Sequence, residues 1–266
     1  MPPLYMFDLL SQIIFPFIIS AAVVILITVV AERYGTKIGG ILGTLPSTII
    51  IALIFISLNR GVIFASKAAA VVPAEMAINL VFLVLFSMLA YRSTSLALIG
   101  SLGVWTVLSV TLYIVGVENI LISVFLYVLS LVFTFVFLEK IKKIESHQKV
   151  KVRYTKKKVL LRGILAGTVI ATAVFLSNID PTLSGIFSIF PAIFLSTMLI
   201  TLLEHGPRFT SGIAKSMIFG SQTVMSYVVA VYFLYPKFGI ISGTFFSFLI
   251  SLAVAFILLA FRKKIT

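Results

Sequence analysis

The chain reads as a series of long apolar runs cut by short polar breaks. A helix needs about 20 apolar residues to cross a bilayer. Runs of that length fall at 11–31, 38–58, 68–90, 94–115, 119–138, 159–178, 183–203, 212–235 and 238–261. Between them stand Glu32, Arg33 and Lys37, then Asn59-Arg60, Tyr91-Arg92, Gly116 with Glu118, a long basic stretch, Asp180-Pro181, Glu204-His205-Gly206-Pro207-Arg208 and Pro236-Lys237. The pattern predicts an all-α polytopic membrane helix bundle of about nine spans.

A longer period lies on top of this one. Gly40-Ile41-Leu42-Gly43-Thr44-Leu45-Pro46 faces Gly185-Ile186-Phe187-Ser188-Ile189-Phe190-Pro191 at an offset of 145, and Gly61, Phe64 and Ser66 face Gly206, Phe209 and Ser211. Over residues 40–69 eight positions in thirty are identical, where chance between two apolar segments gives roughly one in ten. Spans 1–4 therefore correspond to spans 6–9, and span 5 lies between them unpaired. An odd connecting span turns the second copy over. The expected architecture is a 4+1+4 inverted-topology repeat: residues 1–115 the first four spans, 116–139 the connector, 140–158 a basic linker and 159–266 the second four spans.

Composition removes the soluble alternative. The chain is 61% apolar and only 11% charged, whereas charged residues make up about a quarter of a soluble domain, and 266 residues cannot hide that much apolar surface in one core. There is no cysteine, so disulfides and thiolate sites are excluded. The start, Met1-Pro2-Pro3-Leu4-Tyr5-Met6-Phe7-Asp8, lacks the basic region of a secretory signal, and the run after it reads as a retained first span.

Charge sets the orientation. With the amino terminus outside, Arg33, Lys37, Arg92, the ten basic residues from Lys140 to Arg162, Arg208, Lys215, Arg262, Lys263 and Lys264 lie inside. Only Arg60, Lys67 and Lys237 lie outside. The positive-inside rule accepts this orientation and rejects the reverse. The net charge of +13 is then explained by topology and by anionic lipid at the cytoplasmic face, where the linker is expected to lie. No nucleic-acid partner is expected.

Three places carry candidate chemistry. Proline inside a helix frees the carbonyl four residues earlier, here Leu42 for Pro46 and Phe187 for Pro191. Such backbone is tolerated at membrane depth where it is buried or lines a cavity. On the predicted topology both prolines lie about eight residues from opposite surfaces, roughly 12 Å deep. Gly43, Thr44, Pro46, Ser47 and Thr48 in one copy, and Ser188 and Pro191 with Ser184, Ser196 and Thr197 nearby in the other, are expected to build a central substrate site. Plain kinks with hydroxyls bonded back to the helix are the alternative. Glu75 is a carboxylate well inside a span, costing at least about 2.5–3.5 kcal/mol to insert. Asn79 shares its face, and the pair is expected to bind a coupling cation or carry a proton. Glu75 snorkelling beside Lys67, or plugging a polar gap, is the competing account. Gln222 and Ser226, again four apart, are expected to support the site from the second copy.

Other signals are weaker. Gly39-x-x-x-Gly43, Gly163-x-x-x-Gly167 and Gly239-x-x-x-Gly243 allow close helix approach, first for internal packing and second for a homodimer. Tyr91 and Tyr235 read as interfacial anchors, and His205 as a solvated turn residue. Ser211-Gly212-Ile213-Ala214-Lys215-Ser216 lacks the Gly-Lys pair and preceding strand of a phosphate loop. No catalytic constellation appears, so neither an enzyme nor a cofactor is expected.

The second copy resembles the GlpM-like family of small bacterial inner-membrane proteins. The likeness rests on Gly185 to Phe190-Pro191, on Glu204-His205-Gly206, and on Ser216-Met217-Ile218-Phe219-Gly220 leading to Ser226-Tyr227; it covers about a hundred residues and, more faintly, spans 2–3. The small members carry four spans, so the resemblance implies two fused copies in a prokaryotic cytoplasmic membrane. Ser226 stands where the small members tend to have proline. The family's likeness names no substrate. The expected function is a secondary transporter of a small solute, coupled to protons or a cation. A flippase for lipid or polyprenyl carriers and a non-transporting membrane scaffold are the alternatives.

Overall fold

A computed structural model describes residues 10–33, 46–138 and 155–265. The expected linker as far as Tyr154, together with Gly39, Gly43 and Thr44, lies outside the described residues. Every described element is helical. A π-helical turn (Leu10–Ile14) leads into α1 (Phe15–Arg33); α2 (Ser47–Arg60), α3 (Val62–Leu89), α4 (Thr94–Val115) and α5 (Ile120–Val136) follow. After the linker come α6 (Lys156–Leu176), the short α7 (Pro181–Ser188) and α8 (Ala192–Ile265). Non-helical backbone at Gly206 and Gly239 cuts α8 into three legs, 192–205, 207–238 and 240–265. Five of the helical segments are long and apolar enough to cross a membrane, and α2 and α5 are shorter apolar helices.

The breaks fall where small residues permit them. Gly61 (φ 87°, ψ 163°), Gly206 (φ 77°, ψ 178°) and Gly239 (φ 72°, ψ −172°) occupy a region of backbone space open essentially to glycine alone. The first two stand 145 residues apart, as Pro46 and Pro191 do. Helix starts are sharpened by side chains: Ser93, Asn119, Thr155 and Asp180 each accept a backbone N–H from the first turn of the helix that follows.

α3 forms the centre. It packs against α8, α4, α5, α7 and α2, and 19 of its residues from Ala65 to Ser87 are buried. Lipid tails are as apolar as leucine, so helices in a membrane gain little from hydrophobicity alone and associate through close packing and interhelical hydrogen bonds. The sequence Ala65-Ser66-Lys67-Ala68-Ala69-Ala70 and then Ala74 and Ala77 gives α3 the small side chains that close packing needs. Gly185 of α7 sits so near the Ala68 carbonyl that a Cβ would collide with it. The same logic joins α1 to α6: a Cβ on Gly167 would lie 2.7 Å from the Phe17 carbonyl, and one on Gly163 2.6 Å from Ile25. The outer helices α1, α4, α5 and the last leg of α8 present large apolar residues such as Leu26, Ile99, Phe125 and Phe246 outward.

One expectation is corrected. Tyr91 is exposed, but Tyr235 is fully buried, its hydroxyl 2.7 Å from Thr244 Oγ1. Gly243 is the cause: a Cβ there would lie 2.7 Å from the tyrosine ring, and its absence lets the last leg of α8 fold flat over Tyr235.

The contacts along α6 fix relative directions. Near its start, Lys158 pairs with Glu204 at the end of the first leg of α8. One turn on, Arg162 Nη1 donates to Thr197 Oγ1 at 2.6 Å. At its other end, Asn59 at the close of α2 donates to Ser177 Oγ at 2.9 Å. So α2 runs parallel to α6, and the first leg of α8 runs antiparallel to it. The two segments that follow Pro46 and Pro191 leave a common region in opposite directions.

Candidate functional site

That common region is hollow. A cavity of about 140 Å³ lies between the two segments, lined by Pro46, Ser47 and Thr48 on one side and Ser188, Pro191 and Ala192 on the other. α1 contributes Val24 and Thr28, α3 Met76, and α6 Arg162 and Ile170.

Neither proline sits in the interior of a helix. Pro46 is the residue just before α2, with φ −78° and ψ 45°, and its carbonyl accepts the first helical bond from Ile50 N at 3.0 Å. Pro191 plays the same part before α8, accepting from Leu195 N at 2.7 Å. The expectation of freed carbonyls is altered accordingly. Phe187 O is re-satisfied by Phe190 N at 3.1 Å in the tight turn that ends α7; Leu42 lies outside the described residues. A helix start leaves backbone N–H groups without intrahelical partners, and those of α2 and α8 begin at the cavity wall.

Arg162 was counted in the sequence only as a topology charge, and the structure places it in the site. It retains 9% of its surface and lines the cavity while its guanidinium holds Thr197. One sequence signal separates it from the other nine basic residues of the central stretch: it follows Val159-Leu160-Leu161 and so lies inside the apolar run. Lys215, also counted among the cytoplasmic charges, is likewise buried within the middle leg of α8.

Glu75 and Asn79 form a separate polar ladder one layer behind the cavity. Both are 0% exposed, so snorkelling is ruled out for Glu75. α4 runs antiparallel to α3 and presents Trp105 and Ser109, four apart, to Asn79 and Glu75, also four apart. Ser109 Oγ donates to Glu75 Oε1 at 2.8 Å, and Trp105 Nε1 donates to Asn79 Oδ1 at 3.0 Å. Asn79 Nδ2 in turn donates to the Ile189 carbonyl at 2.8 Å, within the turn that precedes Pro191. The ladder thus touches the cavity through the backbone of the break. Trp105 also meets Phe190, a cavity-lining ring, edge-on at 4.8 Å. Among the described residues Glu75 makes no ion pair, and no group of three acidic or histidine side chains is placed to hold a metal.

Of the other expected residues, Gln222 and Ser226 do not line the cavity. Gln222 Nε2 donates to Phe219 O and Ser226 Oγ to Thr223 O, both within their own helix. Ser184 and Ser188 bond to backbone carbonyls of Ala173 and Gly185, bracing α7. Residues 159–263 match the model of a family described as a protein of unknown function, DUF3147. That match spans the half in which the GlpM-like resemblance was read, but it does not carry that name. No curated protein and no solved structure matches the chain.

Proposed function

We propose that this chain is a secondary transporter of a small solute, working by alternating access between two inverted copies of a four-span unit. The observation that carries the proposal is the cavity at which the segments after Pro46 and Pro191 converge from opposite directions. Paired interrupted helices meeting near the midplane are how inverted-repeat carriers build a site that two halves can rock around. In this reading the nine spans are α1, the segment ending in α2, α3, α4, the connecting α5, α6, α7 with the first leg of α8, and its remaining two legs. The amino terminus lies outside and the carboxyl terminus inside.

The cavity's walls include Thr28 of α1 and Arg162 of α6. Arg162 is six residues from the start of α6, roughly 9 Å along its axis, on the side that the charge rule assigns to the cytoplasm. An opening of the cavity toward that side is part of the proposal. The copies differ in sequence here: Asn79, which holds the break before Pro191, faces Val224 at the 145 offset. That asymmetry suits a ladder in which Glu75 and Asn79 link a proton or cation to the movement of one break. A scaffold would have its two breaks sealed against each other, and the cavity speaks for a carrier instead.

The test uses the absence of cysteine. Arg92 and Lys237 are equivalent positions at the 145 offset and both are exposed. Arg92→Cys and Lys237→Cys are expected to react with an impermeant maleimide from opposite sides of sealed vesicles, Arg92→Cys from within. Thr48→Cys is expected to react from the cytoplasmic side only. Labelling of the first two from the same side removes the inverted repeat and the carrier with it.

A further inference from the structure

The polar ladder behind the cavity sets one donor between two acceptors. Trp105 Nε1 donates to Asn79 Oδ1 at 3.0 Å, and the same indole N–H also lies close enough to the Glu75 carboxyl to interact with it. Tryptophan has a single N–H to give. Glu75 Oε1 accepts from Ser109 Oγ at 2.8 Å, whereas Glu75 Oε2 is buried with no hydrogen-bond partner among the described residues.

Ligand count and charge around Glu75 select a proton over a metal cation. A hard cation gathers about six or more oxygens. Here the indole brings a donor, which repels a cation, and Asn79 Oδ1 is already bonded to it. Ser109 Oγ is left as the one side-chain oxygen beside the carboxyl with a lone pair to spare, among the described residues. A counter-charge is missing as well. α4, α5 and α7 carry no acidic, basic or histidine side chain. Of their tyrosines, Tyr113 is exposed and the buried Tyr127 shares a 2.7 Å bond with Ser221 Oγ. Lys67 of α3 is exposed and eight residues away, roughly 12 Å along the helix, and Arg60 is exposed at the end of α2. On α8, Glu204, His205, Arg208 and Lys237 are exposed, and Lys215, Tyr227 and Tyr235 are buried. Tyr232 is half-buried. None of these makes an ion pair with Glu75. Val71 and Ala74 join Leu112 and Ile186 in an apolar cluster on the same side of α3. A carboxyl in such surroundings is held as the neutral acid.

We infer that Glu75 is the proton site of this chain: as the neutral acid it leaves the Trp105 N–H on Asn79, and as the carboxylate it draws that N–H to itself and loosens the break before Pro191. In the step, the proton passes from Oε2 to water and Oε2 becomes an anionic acceptor. A hydrogen bond to a charged oxygen is roughly twice as strong as a neutral one, so the indole crosses over. Asn79 Oδ1 then loses its donor, and the amide that holds the Ile189 carbonyl is no longer clamped from behind. The indole also packs edge-on against Phe190 of the cavity wall, so the cavity feels the change. This deepens the carrier reading and rests on it for the claim that the proton drives transport.

Trp105 is the single tryptophan of the chain, so its emission reads the crossing directly. Purified full-length protein in detergent is titrated from acid to alkaline pH, once in sodium chloride and once in choline chloride of equal concentration. A one-proton change in emission is expected, with the same midpoint in both salts. Glu75→Gln is expected to keep the acid-form emission throughout. An emission indifferent to pH, a change that survives in Glu75→Gln, or a midpoint that sodium moves each overturns the inference. Infrared spectra of the wild type make the test independent of how the variant folds. Part of the carbonyl band of neutral carboxylic acid is expected to fade at the emission midpoint, and no loss there overturns the proton site. The titration is blind to topology, so it can succeed where the two-sided cysteine labelling removes the carrier.

Discussion

Asn79 donates a 2.8 Å hydrogen bond to the carbonyl of Ile189, which lies 110 residues further along the chain. That carbonyl belongs to a turn that cannot offer it a helical partner, because α7 has ended and α8 has not begun. The bond is therefore a strut from the central helix of one half to the break of the other. Trp105 holds the strut from behind by donating to the same amide.

Replacing Asn79 with leucine removes both bonds at once and leaves the Ile189 carbonyl and the Trp105 N–H buried and unpaired. A loss of about 2–4 kcal/mol is expected, at about 1–3 kcal/mol per orphaned group less what relaxation recovers. Thermal unfolding in detergent measures it, and Asn79→Asp is expected to restore the tryptophan bond but not the bond to Ile189.

Glu75→Gln keeps an oxygen to accept from Ser109 but cannot release a proton. Stability is expected to change by less than about 1 kcal/mol, while any pH dependence of uptake in proteoliposomes disappears. Uptake that still responds to pH in this variant assigns coupling to another group.

Gly61→Ala and Gly206→Ala place a Cβ in a backbone region that side chains rarely adopt, although open space surrounds both. Each is expected to cost about 1–3 kcal/mol through backbone strain alone. Similar unfolding shifts at the two sites are expected, and a neutral effect at either means that its break is not fixed as described.

Gly185→Ala drives a methyl group into the Ala68 carbonyl, which as backbone cannot swing away. α7 must move off α3, at a cost of about 1–3 kcal/mol or more, and the break at Pro191 moves with it. Gly103→Ala on the exposed face of α4 meets nothing within 4 Å and is expected to leave the melting temperature within about a degree or two. The pair separates loss of a close approach from a general intolerance to alanine.

Much of the architecture was legible because its determinants are local. Gly61, Gly206, Pro46 and Pro191 announce breaks by residue type alone, and the 145 offset couples them before any contact is known. That Glu75 and Asn79 turn the same face toward α4 followed from their spacing of four. What was not legible depended on distance in the chain. Nothing in the sequence joins Asn79 to Ile189, or Trp105 and Ser109 to α3, because antiparallel helix packing makes those pairs. Arg162 was hidden by its company, a run of basic residues whose collective meaning is topology. Tyr235 was read as an interfacial anchor because its place after a span ending fits that role, and only the overlying Gly243 reverses it. Gln222 and Ser226 share a face as expected, but their hydrogen bonds return to their own helix.

The burial of α3 has a practical corollary. Its sequence belongs to the amino-terminal half, yet much of its surface is covered by α7 and the middle leg of α8, and Ser66 reaches across to the Tyr232 carbonyl. Neither half carries a complete wall around this core. A gene divided between the codons of Leu138 and Thr155 is thus expected to yield two fragments that are each degraded when made alone and accumulate together when made in the same cell.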